Sequence, residues 1–182
     1  MITLVLGGAR SGKSQYAQTL ASRAADVVFV ATAQPIDDEM RAKIARHRQE
    51  RPAEWKTVEA PIELEAAVRE HGRRSSFLLI DCLTTFTANL MLANDAKADG
   101  VKKDAIFACI DRLCNALRES SASVAIVSNE VGEGVVPPTE MGRQFRDLLG
   151  EINQRVARQA DNVILMVAGY PLAVKGAVEV RP

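Results

Sequence analysis

The sequence predicts an α/β fold with a mainly parallel sheet and helices on both faces. Short β-type apolar runs alternate with longer helical patterns along all 182 residues. The runs are apolar throughout rather than alternating, as in Val27 to Ala31, which is how strands buried on both faces read. A glycine-rich turn also stands between the first run and the first helix. Strands separated by helices make βαβ units, hence parallel neighbours.

Taken in order, Ile2 to Leu6 predicts a strand and Lys13 to Ala25 a helix. Val27 to Ala31 predicts the second strand, followed by a helix over Asp37 to Gln49 that Pro52 stops. Thr57-Val58 suggests a short strand, and Ile62 to Glu70 a short helix opened by Pro61. Phe77 to Ile80 is the third clear core strand, ending at Asp81. Helices over Thr84 to Ala93 and Lys102 to Ser120 follow, split by the polar stretch Asn94 to Gly100. Val124 to Val127 is the fourth core strand, and the glycine- and proline-rich loop Val131 to Pro138 leads into a helix over Glu140 to Gln159. Val163 to Val167 closes the series.

The length fits one domain, residues 1–182, with a single core. Charged residues make up 25% and the formal net charge is zero, whereas nucleic-acid binders usually carry a basic excess. No nucleic-acid partner is expected. The longest apolar run, Val163 to Ala168, is too short to span a bilayer, and no secretory leader pattern follows Met1. Cys82, Cys109 and Cys114 lack CxxC spacing, so they read as buried small residues of a reduced, cytoplasmic protein.

Gly7-Gly8-Ala9-Arg10-Ser11-Gly12-Lys13-Ser14 matches the P-loop pattern GxxxxGK[ST]. Glycines let backbone N–H groups turn inward around phosphates, and the following helix aims its free N–H groups and positive dipole end at the same anion. Lys13 is expected to reach the β- and γ-phosphates and the Ser14 hydroxyl to ligate Mg²⁺. Such a site needs an acid at the carboxyl end of a neighbouring core strand, where α/β sheets place ligands. Asp81 supplies it as an expected Mg²⁺ partner, although a strand-ending Asp also suits a simple helix cap.

The segment Arg41 to Arg51 holds five of the basic residues. Met40, Ile44 and His47 share one helical face, so the spacing alone favours His47 as the half-buried end of an apolar stripe. Its neighbours Arg46, Arg48 and Arg51 open a second reading. Cations around an imidazole favour its neutral form and gather phosphate oxygens, which suits a nucleophile attacking phosphorus. His71, beside Gly72 in an expected exposed turn, receives no role. Glu130, after the fourth core strand, suits either substrate binding and water organisation or loop closure.

These residues together resemble a family. The phosphate loop at the amino terminus, Ala31-Thr32-Ala33, Asp37-Asp38-Glu39-Met40 and Arg46-His47-Arg48 leading to Arg51-Pro52 and Trp55 carry the resemblance. Thr57-Val58-Glu59, Asp81-Cys82-Leu83-Thr84, Asn129-Glu130-Val131-Gly132 and Asn153-Gln154-Arg155 complete it. The chain resembles, over nearly its whole length, the bifunctional adenosylcobinamide kinases / adenosylcobinamide-phosphate guanylyltransferases of cobalamin biosynthesis. The resemblance implies a RecA-like P-loop NTPase fold. It implies phosphorylation of adenosylcobinamide from ATP or GTP, then transfer of GMP from GTP to adenosylcobinamide phosphate. His47 would be the residue that carries GMP covalently. Gly7, Gly8, Ala9, Arg10, Ser11, Gly12, Lys13, Ser14, Ala31, Thr32, Ala33, Arg48, Gln49, Glu50, Arg51, Glu59 and Asp81 would bind nucleotide. A corrinoid substrate and a homo-oligomer, trimeric in the family, belong to the same implication.

Two other classes fit parts of the sequence. A plain small-molecule P-loop kinase would leave His47 structural and never hold a covalent nucleotide. A RecA-like switch acting on a macromolecule would need a basic surface or added domain, which the neutral charge and the length disfavour.

Overall fold

The computed structural model describes residues 1–49, 51–95 and 103–179. Its strands are β1 (Ile2–Gly7), β2 (Val27–Ala31), β3 (Lys56–Glu59), β4 (Phe77–Asp81), β5 (Ser123–Val127), β6 (Asn162–Val167) and β7 (Tyr170–Lys175). The helices are α1 (Lys13–Ala21), α2 (Asp38–Gln49), α3 (Leu64–His71), α4 (Leu83–Asp95), α5 (Lys103–Glu119) and α6 (Glu140–Gln159). Residue Glu50, the first residue of the expected helix over Lys102 to Ser120, and most of the Asn94 to Gly100 stretch lie outside the described residues.

The strands form one sheet in the order β3-β2-β4-β5-β1-β6-β7. β1 to β6 are parallel and β7 runs antiparallel to β6. Because successive side chains on a strand point to opposite faces, each strand feeds two cores. Leu4, Val30, Ile80 and Ile126 pack with Leu64, Phe86, Ile110 and Ile152 from α3 to α6. Val5, Phe29, Leu79 and Val127 pack with Tyr16, Ala17 and Leu20 of α1. Both faces are covered, as the apolar strands require, but α1 covers one and four helices the other.

Several expectations need correction. The strand that bears Asp81 is not next to the phosphate-loop strand, since β5 lies between β1 and β4. α1 ends at Ala21 rather than Ala25, because the chain tightens there into turns from Arg23 N–H to Leu20 and from Ala24 N–H to Ala21. Pro61 does not open α3; the helix starts at Leu64, and the Pro61 carbonyl instead accepts from Asn89 Nδ2 at 3.0 Å. His71 is buried, not in an exposed turn. It completes the i, i+3, i+4, i+7 stripe of Leu64, Ala67 and Val68 that seats α3. Of the three cysteines only Cys114 is fully buried, while Cys82 and Cys109 are half-buried; burial pushes all three thiols up.

β7 went unpredicted. It follows a two-residue hairpin, Ala168-Gly169, with both φ values positive at 50° and 87°, the conformation that matches the twist of antiparallel neighbours. Its Pro171 is tolerated because β7 is an edge. Among the described residues no helix is long and apolar enough to cross a membrane.

Candidate active site

Parallel strands in register bring their carboxyl ends to one edge. Ala31 at the tip of β2 pairs with Asp81 on β4 and Glu59 on β3, so the two carboxylates flank it at one level. The chain beyond β2 is tied down by hydroxyl bonds. Thr32 Oγ1 donates to the Cys82 carbonyl at 2.7 Å and accepts from the Cys82 N–H at 2.8 Å. Asn89 of α4 donates to the Thr32 carbonyl at 2.9 Å. Thr32 is thereby buried, and its hydroxyl is committed to holding β2 against β4.

α2 roofs this edge. Asp37 caps it, accepting from the Met40 N–H at 2.7 Å. Not one described side chain of α2 is fully buried; Met40, Ile44 and His47 are half-buried on one face. Its last turn is basic, where the helix dipole favours cations. Arg51 returns from the turn beyond: its Nε donates to the His47 carbonyl at 2.9 Å, and its guanidinium stacks over Phe29 of β2. Arg48 pairs with Glu59 at 2.9 Å. Burial and the Arg48 charge lower the Arg51 guanidinium from its ordinary value, opposed by Asp81, and its Nη1 is buried without a protein partner.

Between roof and sheet edge lies a cavity of about 510 Å³. Ala31, Ala33, His47, Arg48, Gln49, Arg51, Glu59 and Asp81 of the expected nucleotide residues line it. So do Arg41, Ile44, Cys82 and Thr85, which sequence reasoning did not single out for this site. The signal for Ile44 was the helical face it shares with Met40 and His47; Arg41 carried only its charge, and Thr85 none beyond its place one residue after a matched motif.

Gly7 to Ser14 do not line that cavity. The loop forms between β1 and α1 as expected. Gly12 has φ 92° and its ideal Cβ position lies 3.3 Å from Gly169 Cα, so conformation and close approach both ask for glycine. Lys13 Nζ donates to the Gly8 carbonyl at 2.8 Å, and Ser11 Oγ is buried with no protein partner.

The end of β5 lies between the loop and Asp81. The Glu130 N–H donates to the Gly7 carbonyl at 3.2 Å and the Asn129 N–H to Thr84 Oγ1 at 2.9 Å. Behind them stands buried Asn153 of α6. Its Oδ1 accepts from Ser128 Oγ at 2.7 Å, and its Nδ2 donates to the Asn129 carbonyl at 3.1 Å and to Glu130 Oε1 at 3.4 Å. Burial, reinforced by Glu133, pushes the Glu130 carboxyl up against the Asn153 hydrogen bond.

An edge with a phosphate loop beside a basic cavity fits phosphoryl and nucleotidyl transfer, and the comparisons narrow it. The family model of cobinamide kinase / cobinamide phosphate guanyltransferase matches residues 3–174. The chain belongs to that family. It is thus a kinase and guanyltransferase of cobalamin biosynthesis, as the resemblance implied. The bifunctional adenosylcobalamin biosynthesis protein CobP of Pseudomonas aeruginosa is 40% identical over 97% of this chain and 98% of its own length. The bifunctional adenosylcobalamin biosynthesis protein CobU of Salmonella typhimurium is 39% identical, over 96% of this chain and all of its own. The CobU protein of Escherichia coli is likewise 39% identical over 96% of this chain.

Among solved structures, the fold is similar to a type III secretion ATPase, with TM-score 0.58 and 12% identity, covering 90% of this chain and 50% of that one. The RadB recombinase superposes with TM-score 0.55 and 13% identity, covering 99% of this chain and 83% of its own. At these identities the likeness concerns the fold alone, and it agrees with the RecA-like P-loop fold that the resemblance implied.

Proposed function

We propose that this family member transfers GMP through a covalent bond to His47, and that its two reactions use two neighbouring regions of one sheet edge. The observation that carries this reading is the cavity that gathers His47 with Arg48, Arg51, Glu59 and Asp81 while leaving out the phosphate loop. In the first step a neutral ring nitrogen of His47 attacks the α-phosphorus of GTP. The N–P bond forms, the α–β P–O bond breaks, and pyrophosphate leaves. In the second, a phosphate oxygen of adenosylcobinamide phosphate attacks that phosphorus, the N–P bond breaks, and adenosyl-GDP-cobinamide departs. Splitting the exchange spares two large anions a direct encounter. Arg51, with one buried guanidinium nitrogen lacking a protein partner, offers its charge to the phosphorus under attack. Ala31, Ala33, Gln49 and Glu59 would contact the rest of the nucleotide, and Thr32 would act by holding the end of β2 against that of β4.

In the kinase reaction the loop from Gly7 to Ser14 would hold the triphosphate of ATP or GTP. Mg²⁺ held through few protein oxygens plus phosphates needs no protein cage. The Ser14 hydroxyl and the Asp81 carboxylate are hard oxygens of that kind, would hold the ion, and the ion would supply charge neutralisation to the phosphates. A homo-oligomer is supported by the exposed apolar face of β7, where Tyr170, Leu172 and Val174 alternate outward. Equilibrium sedimentation measures that directly. A cytoplasmic home suits free thiols and the corrinoid substrate.

The deciding experiment uses GTP labelled at the α-phosphate, followed by denaturation. Acid-labile label retained by the wild type and absent from His47→Ala supports the reading. Label that persists in His47→Ala, or none in the wild type, removes it.

A further inference from the structure

We propose that Glu130 is the proton acceptor of the kinase half-reaction, taking the proton of the corrinoid's alcohol beside the phosphate loop. This rests on the two-region reading above. The strand order is its first support: β5 separates the phosphate-loop strand from the Asp81 strand, so its exit loop lies between the two. The bond from the Glu130 N–H to the Gly7 carbonyl, 3.2 Å, then fixes this backbone to the first residue of the loop. The alcohol must give up its proton as it is phosphorylated, and His47 lines a cavity to which no loop residue contributes.

The side chain is held as well as the backbone. Asn153 sits on an otherwise apolar face of α6 with Leu149, Ile152 and Val156, only 5% exposed. A buried amide there costs desolvation unless its groups are used. It uses them on Ser128, the Asn129 carbonyl and Glu130 Oε1, and so orients the loop carboxyl from behind. Two buried polar atoms nearby have no protein partner, Ser11 Oγ in the phosphate loop and Asn129 Oδ1 beside Glu130. An amide oxygen only accepts, so Asn129 Oδ1 suits a hydroxyl or N–H of a bound molecule. The partly desolvated carboxyl is also a better base near neutral pH than an exposed one.

The step balances without any added reagent. The alcohol oxygen attacks the γ-phosphorus, its O–P bond forms, and the β–γ P–O bond breaks. The nucleoside diphosphate leaves, and the hydroxyl proton passes to the Glu130 carboxylate. Glu130→Gln keeps the shape and removes the base.

The test measures the two half-reactions separately on the full chain: phosphorylation of cobinamide with ATP, and labelling of the enzyme by α-labelled GTP. Glu130→Gln is expected to lower kinase kcat by about 10²- to 10⁴-fold with the KM for ATP changed less than about threefold. Glu130→Asp, which shortens the reach but keeps the base, restores part of kcat. Kinase kcat within about threefold of wild type in Glu130→Gln overturns the proposal. So does an equal loss of kinase and labelling in both variants, which marks a structural role. Failure of the wild type to take up label speaks only against the His47 reading, because the kinase turnover is read with ATP alone.

Discussion

The Arg51 guanidinium carbon lies 3.7 Å above the centre of the Phe29 ring, joining the turn after α2 to the middle of β2. The same side chain donates through Nε to the His47 carbonyl, so one planar cation fixes the end of the histidine-bearing helix against the sheet. α2 has little else to hold it there, since none of its described side chains is fully buried.

Arg51→Lys is therefore expected to act on His47 as well as on phosphate charge. Lysine keeps the charge but loses the planar stack and the Nε bond. A stack contributes about 0.5–2 kcal/mol and a charged hydrogen bond about 1.5–3 kcal/mol, before lysine recovers a part. Formation of the labelled GMP-enzyme should slow by roughly one to two orders of magnitude at about 1.4 kcal/mol per decade. A rapid-quench time course checks it; an unchanged rate would show that Arg51 does not position the helix.

Gly12→Ala tests the phosphate loop. At φ 92° an L side chain is strained, and the new Cβ would press on Gly169 Cα at 3.3 Å. The left-handed conformation alone costs about 1–2 kcal/mol. Thermal unfolding should fall by about 3–8 °C for a chain of this size, with ATP binding by calorimetry weakened more than the stability loss explains. Wild-type binding in this variant would mean that the loop does not hold the triphosphate.

How much of this was legible from residues varied with the physics. β1, the loop and α1 were readable because strand, glycines and helix start are all local. The cavity was half readable: His47, Arg48, Arg51 and Asp81 stood out by charge, but that Ala31, Glu59 and Asp81 share one level needed strand order and register. Strand order is non-local, which is why Asp81 was placed one strand too near the loop. β7 escaped because Tyr170-Pro171 reads as a breaker, and only its edge position makes that proline harmless. His71 was within reach, since it completes the spacing of Leu64, Ala67 and Val68.

Asn153→Leu tests how far the loop after β5 depends on one buried amide. Leucine fits the apolar neighbours Leu149, Ile152 and Val156 but leaves the Ser128 hydroxyl and the Asn129 carbonyl without their partner. A buried group left unsatisfied costs about 1–3 kcal/mol, so about 2–4 kcal/mol of stability should be lost in urea unfolding after the gain from the apolar side chain. A neutral substitution would show that water satisfies both groups and that Asn153 does not set the loop.

Glu65 provides the pH test. It receives Arg69 Nε at 2.9 Å along α3 and Arg112 Nε at 3.1 Å from α5, while Arg69 also reaches Glu119. The hydrogen bond from Arg69 holds the Glu65 carboxyl below its ordinary range; burial opposes it, and the Arg112 hydrogen bond and the two arginine charges add to the lowering. Because the folded value is depressed, the native state binds fewer protons than the unfolded chain between the two values, and stability rises with pH there. The contribution is thus fully present above the ordinary glutamate range and is lost as pH falls through the folded value. Partly exposed pairs contribute about 0.2–1 kcal/mol each, so wild type should exceed Glu65→Gln by roughly 0.5–1.5 kcal/mol at pH 7 in low salt. That difference should shrink toward zero as the medium is taken below the glutamate range, and shrink also in 1 M salt, where the Debye length is only about 3 Å. Denaturant unfolding of both proteins across the acid range measures it, and a difference that stays constant with pH would show that Glu65 contributes by packing α3 against α5 rather than by its charge.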